Sequence, residues 1–198
     1  GLAGQDIIGQ AKTGTGKTFG FGLPLIQALG LHPEPGVQAL VVVPTRELCV
    51  QVAEDLEIAA YNRDTKIVAI YGGKAYEGQV EQLKAGAQIV VGTPGRLLDH
   101  LNRGGIEADG VAAVVLDEAD RMLDLGFRDE LEAILDKAPP EHRTHLVSAT
   151  FARDVAALAD RVQKDPKRIE GTPLGSANRD IDHIVFTGSV KTGRSILR

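Results

Sequence analysis

Cysteine occurs once in the 198 residues, at Cys49. That excludes an intrachain disulfide and fits a reducing compartment, so a cytoplasmic location is expected. Long apolar runs are missing too. No stretch approaches the roughly 18–20 apolar residues a membrane-spanning helix needs, and the N-terminus lacks the basic-then-apolar order of a signal peptide. Positive charge is in deficit, with Lys+Arg 22 against Asp+Glu 27 and a formal net charge of -5. A polybasic coat that holds nucleic acid by bulk charge is thereby excluded. Tryptophan is absent and aromatics make up only 4% of the chain.

What is present is a 43% hydrophobic chain of a length that commonly forms one domain and can bury a sizeable core. Glycine is in excess, with 23 residues or about 12% against a usual 7% or so. Short β-branched runs alternate with longer amphipathic stretches. The runs are Ile7 to Ile8, Ala39 to Val43, Lys66 to Tyr71, Ala87 to Val91, Ala112 to Leu116 and Thr144 to Val147. Helical stretches lie between them: Lys17 to Leu29, Glu47 to Ala59, Tyr76 to Lys84, Gly95 to Asn102, Arg128 to Leu135 and Ala152 to Val162. This order predicts an α/β domain with six strands, doubly wound, its sheet mostly parallel and its helices on both faces. Residues 1–170 form that domain in this reading. From Gly171 to Arg179 the residues GTPLGSANR are rich in turn formers, so 171–198 reads as a linker and the start of a second domain, with a further strand around Ile181 to Phe186. The opening at Gly1 and the close at Arg198 suggest a chain cut at both ends.

Two segments carry chemistry. AKTGTGKT, Ala11 to Thr18, follows a short strand and precedes a helix. It matches the phosphate loop G-x-x-x-x-G-K-[ST] except for Ala11 in the first glycine's place. Gly14 and Gly16 let the backbone curl so that N–H groups, including those of Thr13 and Thr15, face phosphate oxygens, and the helix starting at Lys17 adds its dipole. Lys17 brings a point charge, and the Thr18 hydroxyl is a Mg2+ ligand. The plainer alternative is a glycine-rich turn, but chance places such an octamer in on the order of one chain in a hundred of this length. The second segment is VVLDEAD, Val114 to Asp120, an apolar run ending in carboxylates. Open α/β folds bind ligands at the C-terminal ends of their strands, so Asp117 suits a metal and Glu118 a catalytic water. Alone, the pair would be a solvated helix start.

With Ser148-Ala149-Thr150, Pro44 to Leu48 (PTREL), Gly72-Gly73, Thr93 to Arg96 (TPGR) and Arg121 to Phe127 (RMLDLGF), these segments occur in the order of one family over nearly the whole chain. The sequence resembles the first RecA-like domain of a DEAD-box RNA helicase. That resemblance implies a RecA-like P-loop NTPase fold. It implies ATP and Mg2+ at Ala11, Thr13, Gly14, Thr15, Gly16, Lys17 and Thr18, with Asp117 as metal partner and Glu118 as catalytic base. Asp120, Ser148 and Thr150 are expected to couple nucleotide state to strand separation. Pro44, Thr45, Arg46, Gly72, Gly73, Thr93, Pro94, Gly95 and Arg96 are expected to form the RNA-contacting surface. Residue chemistry agrees, since Arg46 and Arg96 can each hold a phosphate and Pro94-Gly95 opens a helix. Without the resemblance, Thr-Pro-Gly reads as a common strand-to-helix turn and Gly72-Gly73 as a strand end.

The scarcity of aromatics leaves few platforms for stacking bases, so RNA is expected to be held by its backbone with weak sequence preference. Family members also carry an adenine-reading segment upstream of the phosphate loop and a second RecA-like domain with arginines that complete the ATP site. Neither is expected within these residues. Phosphoryl transfer without such an arginine loses a factor of about 10³ to 10⁵, so the isolated chain, expected to be monomeric, should bind nucleotide weakly and hydrolyse it barely. A non-catalytic RNA or nucleotide platform is the rival, and a P-loop kinase or GTPase leaves PTREL, TPGR and SAT without a use. His142 and His145 lack further metal ligands and read as a wet turn before a strand. Cys49 reads as a small buried side chain.

Overall fold

In the computed structural model, which describes residues 4–11 and 16–170, the chain runs β1 (Ile7–Gln10), α1 (Lys17–Leu29), β2 (Ala39–Val42), α2 (Arg46–Ala59), β3 (Ile67–Ile70) and α3 (Tyr76–Lys84). It continues β4 (Ile89–Gly92), α4 (Pro94–Asn102), β5 (Ala113–Asp117), α5 (Ala119–Asp124), α6 (Arg128–Lys137), β6 (Arg143–Ser148), α7 (Arg153–Val162) and β7 (Lys167–Glu170). The strands form one sheet in the order β3-β4-β2-β5-β6-β1-β7, and every pairing is parallel.

Alternate residues of a single strand serve two cores, because successive side chains leave a strand on opposite faces. In β2, Leu40 and Val42 join a cluster completed by Leu97 of α4, Met122 of α5, Leu131 and Ile134 of α6, and Val155 and Leu158 of α7. Ala39 and Val41 join the other cluster, with Phe21, Leu25 and Ile26 of α1 and Cys49, Val52 and Leu56 of α2. Burial on both faces explains why the inner strands read as unbroken apolar runs. Two glycines permit the close approaches. A Cβ on Gly22 would collide with Leu56, so its absence lets α1 press on α2. At Gly92 a Cβ would meet Leu97 Cγ at 2.5 Å and the Ile70 carbonyl at 2.8 Å, which ties the start of α4 to the end of the sheet.

Among the described residues the strands number seven, where six are expected. The sequence reading missed β7, whose residues KRIE contain one apolar side chain and are all exposed on a sheet edge. It also missed α5, a single short helix between a strand end and a turn at Gly126 (φ 86°). The turn-rich stretch 171–179 and the strand expected over Ile181 to Phe186 lie outside the described residues. Among the described residues, no helix is long and apolar enough to cross a membrane.

Candidate functional site

An all-parallel sheet delivers the end of every strand to the same edge. The register sets Gln10 beside Ser148, Asp117 beside Val147, and Val42 between Leu116 and Gly92. The residues that follow β2, β4, β5 and β6 therefore leave from one edge, together with Ala11 after β1; Pro44-Thr45, Thr93, Glu118 and Ala149-Thr150 lie there, and Gly72-Gly73 comes just after β3.

On the β1 side, the Ala11 N–H donates to the Ser148 carbonyl at 3.1 Å, tying the start of the phosphate loop to β6. Thr13, Gly14 and Thr15 lie outside the described residues. Gly16 ends the loop as the N-cap of α1 at φ 79°, a left-handed conformation that glycine adopts at no steric cost. Thr18 is half-buried in the first turn of the helix. The Lys17 side chain is 9% exposed and its Nζ stands 4.0 Å from Asp117 Oδ1, buried and with no hydrogen-bond acceptor among the described residues. Asp117, at the end of β5, is itself buried, and that burial pushes its carboxyl up to about 6 against the opposing pull of Lys17 and of the Glu118 N–H. Glu118 donates that N–H to Asp117 Oδ1 at 2.9 Å and adopts φ 53°, ψ 48°. A non-glycine residue in this region carries strain of order 1–3 kcal/mol, of the kind found at functional sites. Arg121 lies 3.5 Å from the Glu118 carboxylate.

This donor set suits an anion with a divalent cation. A buried ammonium without an acceptor accommodates an oxyanion, and a carboxylate driven toward protonation regains its charge beside a metal. Among the described residues, no group of three or more His, Cys, Asp or Glu could hold a metal by protein ligands alone. Asp117 and Thr18 with phosphate oxygens fit Mg2+, which is commonly bound by one or two carboxylates plus substrate phosphates.

Asp120, Ser148 and Thr150 form a closed hydrogen-bond ring. The Asp120 N–H donates to Ser148 Oγ at 3.3 Å, and the Ser148 hydroxyl donates to the Thr150 carbonyl at 2.7 Å. The Thr150 N–H and hydroxyl both donate to Asp120 Oδ2, at 2.9 and 2.8 Å. Partial burial raises the Asp120 carboxyl, but hydrogen bonds from Thr150, with those of Arg121 and Ser148, together outweigh it and hold the group below its ordinary value. The ring fastens the start of α5 to the loop after β6, one residue from the Asp117-Glu118 pair.

Along the same edge, Pro44, Thr45, Arg46, Gly72, Thr93, Gly95 and Arg96 line a groove of about 540 Å³, joined by Asp99 and Phe127. Thr45 caps α2 by accepting the Leu48 N–H at 3.2 Å. Pro94 occupies the first helical position of α4 after Thr93. Gly73 (φ 88°) lies under the Arg46 guanidinium, where a Cβ would meet Nη1 at 2.6 Å. Gly95 differs, because it is exposed and nothing lies within 4 Å of the place a Cβ would take. Neither the fold nor the backbone angle asks for glycine there. Among the described residues, no carboxylate pairs with Arg46 or Arg96, and Asp99 is engaged by Arg103 at 3.5 Å.

The sequence reading passed over Asp99 and Phe127 in the groove, and over Gln79 and His100 behind it. Arg96 and His100 are four apart on one helix, a spacing that signalled a shared face. Nothing in the sequence placed Gln79 against them. One reading needs correction: His145 is not in a wet turn but inside β6 and buried, which lowers its pKa. Cys49 is fully buried, with its Sγ 3.2 Å from the Val91 carbonyl, and burial pushes the thiol up to about 12.

A family model described as DEAD/DEAH box helicase matches residues 1–158. The chain is 47% identical over 171 residues to a DEAD-box ATP-dependent RNA helicase CshA of Bacillus subtilis (strain 168), covering 86% of this chain and 34% of that protein. An ATP-dependent RNA helicase CshA of Listeria monocytogenes is also 47% identical, over 169 residues, covering 85% of this chain and 32% of that one. The chain thus spans about a third of the length of these curated relatives. Among solved structures, a DEAD box protein from the hyperthermophile Methanococcus jannaschii superposes with TM-score 0.80 at 43% identity, over 85% of this chain and 46% of that one. A hypothetical ATP-dependent RNA helicase from Sulfolobus tokodaii gives 0.78 at 36% identity, over 86% and 49%.

Proposed function

This chain belongs to the DEAD/DEAH box helicase family, and from that premise we propose that it is the ATP-binding and RNA-binding N-terminal RecA-like domain of an ATP-dependent RNA helicase. The observation that carries the nucleotide half is the buried Lys17 ammonium, which has no acceptor among the described residues and stands 4.0 Å from a carboxylate that burial pushes toward protonation. Lys17, Gly16 and Thr18, with the N–H groups of Thr13, Gly14 and Thr15, bind the phosphates, and Asp117 with Thr18 holds the metal. Mg2+ bound there neutralises charge on the phosphate oxygens. Glu118 orients the attacking water and accepts its proton, and its strained backbone fixes where the carboxylate points.

The groove beside Arg46 and Arg96 holds RNA by its phosphates. The open space over Gly95 and the helix N-terminus at Pro94 let a backbone approach closely. Such contacts carry little base information, so sequence preference is weak. The ring of Asp120, Ser148 and Thr150 passes the state of the Asp117-Glu118 pair to the neighbouring loop. A second RecA-like domain of the same protein, whose linker and start fall within 171–198, completes both sites around the domain of residues 1–170. The whole protein acts as a cytoplasmic monomer that couples ATP hydrolysis to local duplex separation.

In the protein extended through its second RecA-like domain, Lys17→Ala and Glu118→Gln should each abolish RNA-stimulated ATP hydrolysis measured by phosphate release. Undiminished turnover in both variants would overturn the assignment.

A further inference from the structure

Behind the groove, α3 and α4 are joined by a buried polar seam. Gln79 of α3 is 2% exposed. Its side-chain oxygen lies 3.0 Å from Arg96 Nη1 and 3.1 Å from His100 Nε2, and its nitrogen donates to the Tyr71 carbonyl at 2.9 Å. These partners fix the amide's orientation. Turned over, its NH2 would face the guanidinium and its oxygen would face a carbonyl. With the oxygen as acceptor, His100 must donate through Nε2 and carries its lone pair on Nδ1. That atom is buried with no partner among the described residues, and Gly105 closes over it, since a Cβ there would meet Nδ1 at 2.6 Å. A protonated ring would therefore bury an unsatisfied N–H, and burial does lower the His100 pKa. The ring is also clamped from the side, stacked on Tyr76 at 4.2 Å with Arg103 lying over the same tyrosine at 3.7 Å.

Arg96 is the one member of the seam that also lines the groove. Its Nη1 is spent on Gln79 and on the Lys74 carbonyl at 3.2 Å, which leaves the remaining guanidinium N–H groups for a ligand. A guanidinium held in this way loses less rotamer freedom when it binds a phosphate. Gln79 is not part of the groove lining, so it acts through Arg96.

We propose that Gln79 is the positioning residue of the nucleic-acid groove, its single buried oxygen aiming the Arg96 guanidinium while the neutral, Nε2-protonated His100 holds Gln79 in place. This rests on the groove being the RNA site. The test measures binding of the protein extended through its second RecA-like domain to a labelled oligouridylate across salt concentrations, for wild type, Arg96→Ala, Gln79→Met and the double variant. Arg96→Ala should weaken binding about tenfold and reduce the salt slope by about 0.7, the share of one single-strand phosphate contact. Gln79→Met, similar in shape but without hydrogen bonds, should weaken it by about threefold to tenfold with a comparable loss of slope. The double variant should bind no more weakly than Arg96→Ala alone, because a residue that works through Arg96 has nothing left to position. A Gln79 variant that binds with wild-type affinity and slope, or whose loss adds fully to that of Arg96→Ala, overturns the proposal and leaves the RNA reading standing. An extended wild-type protein without salt-dependent binding overturns the RNA reading and the proposal with it. Should Gln79→Met not fold, nitrogen-15 NMR of the wild type decides: a bare His100 Nδ1 and slow Arg96 guanidinium rotation are expected, and the opposite tautomer or free rotation overturns the proposal.

Discussion

Asp120 accepts two hydrogen bonds on one carboxylate oxygen from Thr150, thirty residues further along the chain, at 2.9 Å from the N–H and 2.8 Å from the hydroxyl. The pair ties the turn after β5 to the loop after β6. A double-mutant cycle on Asp120→Ala and Thr150→Ala, followed by urea unfolding, should give a coupling energy of about 0.5–2 kcal/mol. The Asp120 carboxyl is held below its ordinary value, so this stabilisation is present above the unfolded pKa of about 3.9 and is lost as pH falls through the lower folded value. Additive single variants at neutral pH would show that the two residues act independently.

The Asp117 carboxyl behaves in the opposite sense. Its folded pKa is raised to about 6, so the folded chain binds that proton more tightly than the unfolded chain does. Stability of the nucleotide-free chain in a chelating buffer should therefore fall as pH rises from about 4 to 6. Asp117→Asn should stabilise that chain by about 2–3 kcal/mol at pH 7.5, following from a shift of about two pKa units. The urea midpoints of the two proteins should converge toward pH 4, and an Asn variant that is less stable at every pH would refute the burial argument.

Gly73 and Gly95 should separate the needs of the fold from those of a ligand. Gly73→Ala forces a side chain into a left-handed conformation against the Arg46 guanidinium, so a loss of about 1–2 kcal/mol is expected together with weaker RNA binding. Gly95→Ala meets open space in the first turn of α4, and alanine is the better helix former by up to about 1 kcal/mol. Its melting temperature should hold or rise while RNA affinity falls. A Gly95→Ala protein that binds RNA as wild type does would show that the backbone there is not approached closely.

Cys49 should be chemically silent in the folded protein. A thiol pushed up to about 12 and fully buried presents almost no thiolate at pH 8. Ellman's reagent should release no colour from the native chain and one equivalent from the chain in guanidinium chloride. Rapid labelling of the native protein would place the thiol at the surface.

Much of the candidate site was legible in the sequence because each motif is a local solution to a local problem. Lys17 and Thr18 follow glycines at a helix start, Asp117 ends an apolar strand, and Thr93-Pro94 supplies a cap and a first helical residue. The β/α alternation fixed the layers for the same reason, since strand and helix periodicities are written in neighbouring residues. What stayed hidden depends on partners far along the chain. β7 carries one apolar residue in four and owes its place to pairing with β1. His145 reads as polar, yet sits buried in β6. Gln79 carries no signal of its own, and only the packing of α3 on α4 gives its oxygen two donors.

The amino-acid sequence by itself determined which residues can carry charge, curl around a phosphate or start a helix, because those properties belong to a few consecutive residues. The tertiary structure decided which of them meet. A parallel sheet in the order β3-β4-β2-β5-β6-β1-β7 sets the strand ends on one edge, so that Lys17 faces Asp117 across 100 positions, Asp120 closes a ring with Thr150, and Arg46 comes to rest on Gly73. Contacts of that range arise only when burial on both faces of the sheet fixes the inner strands in register, and no local pattern encodes them.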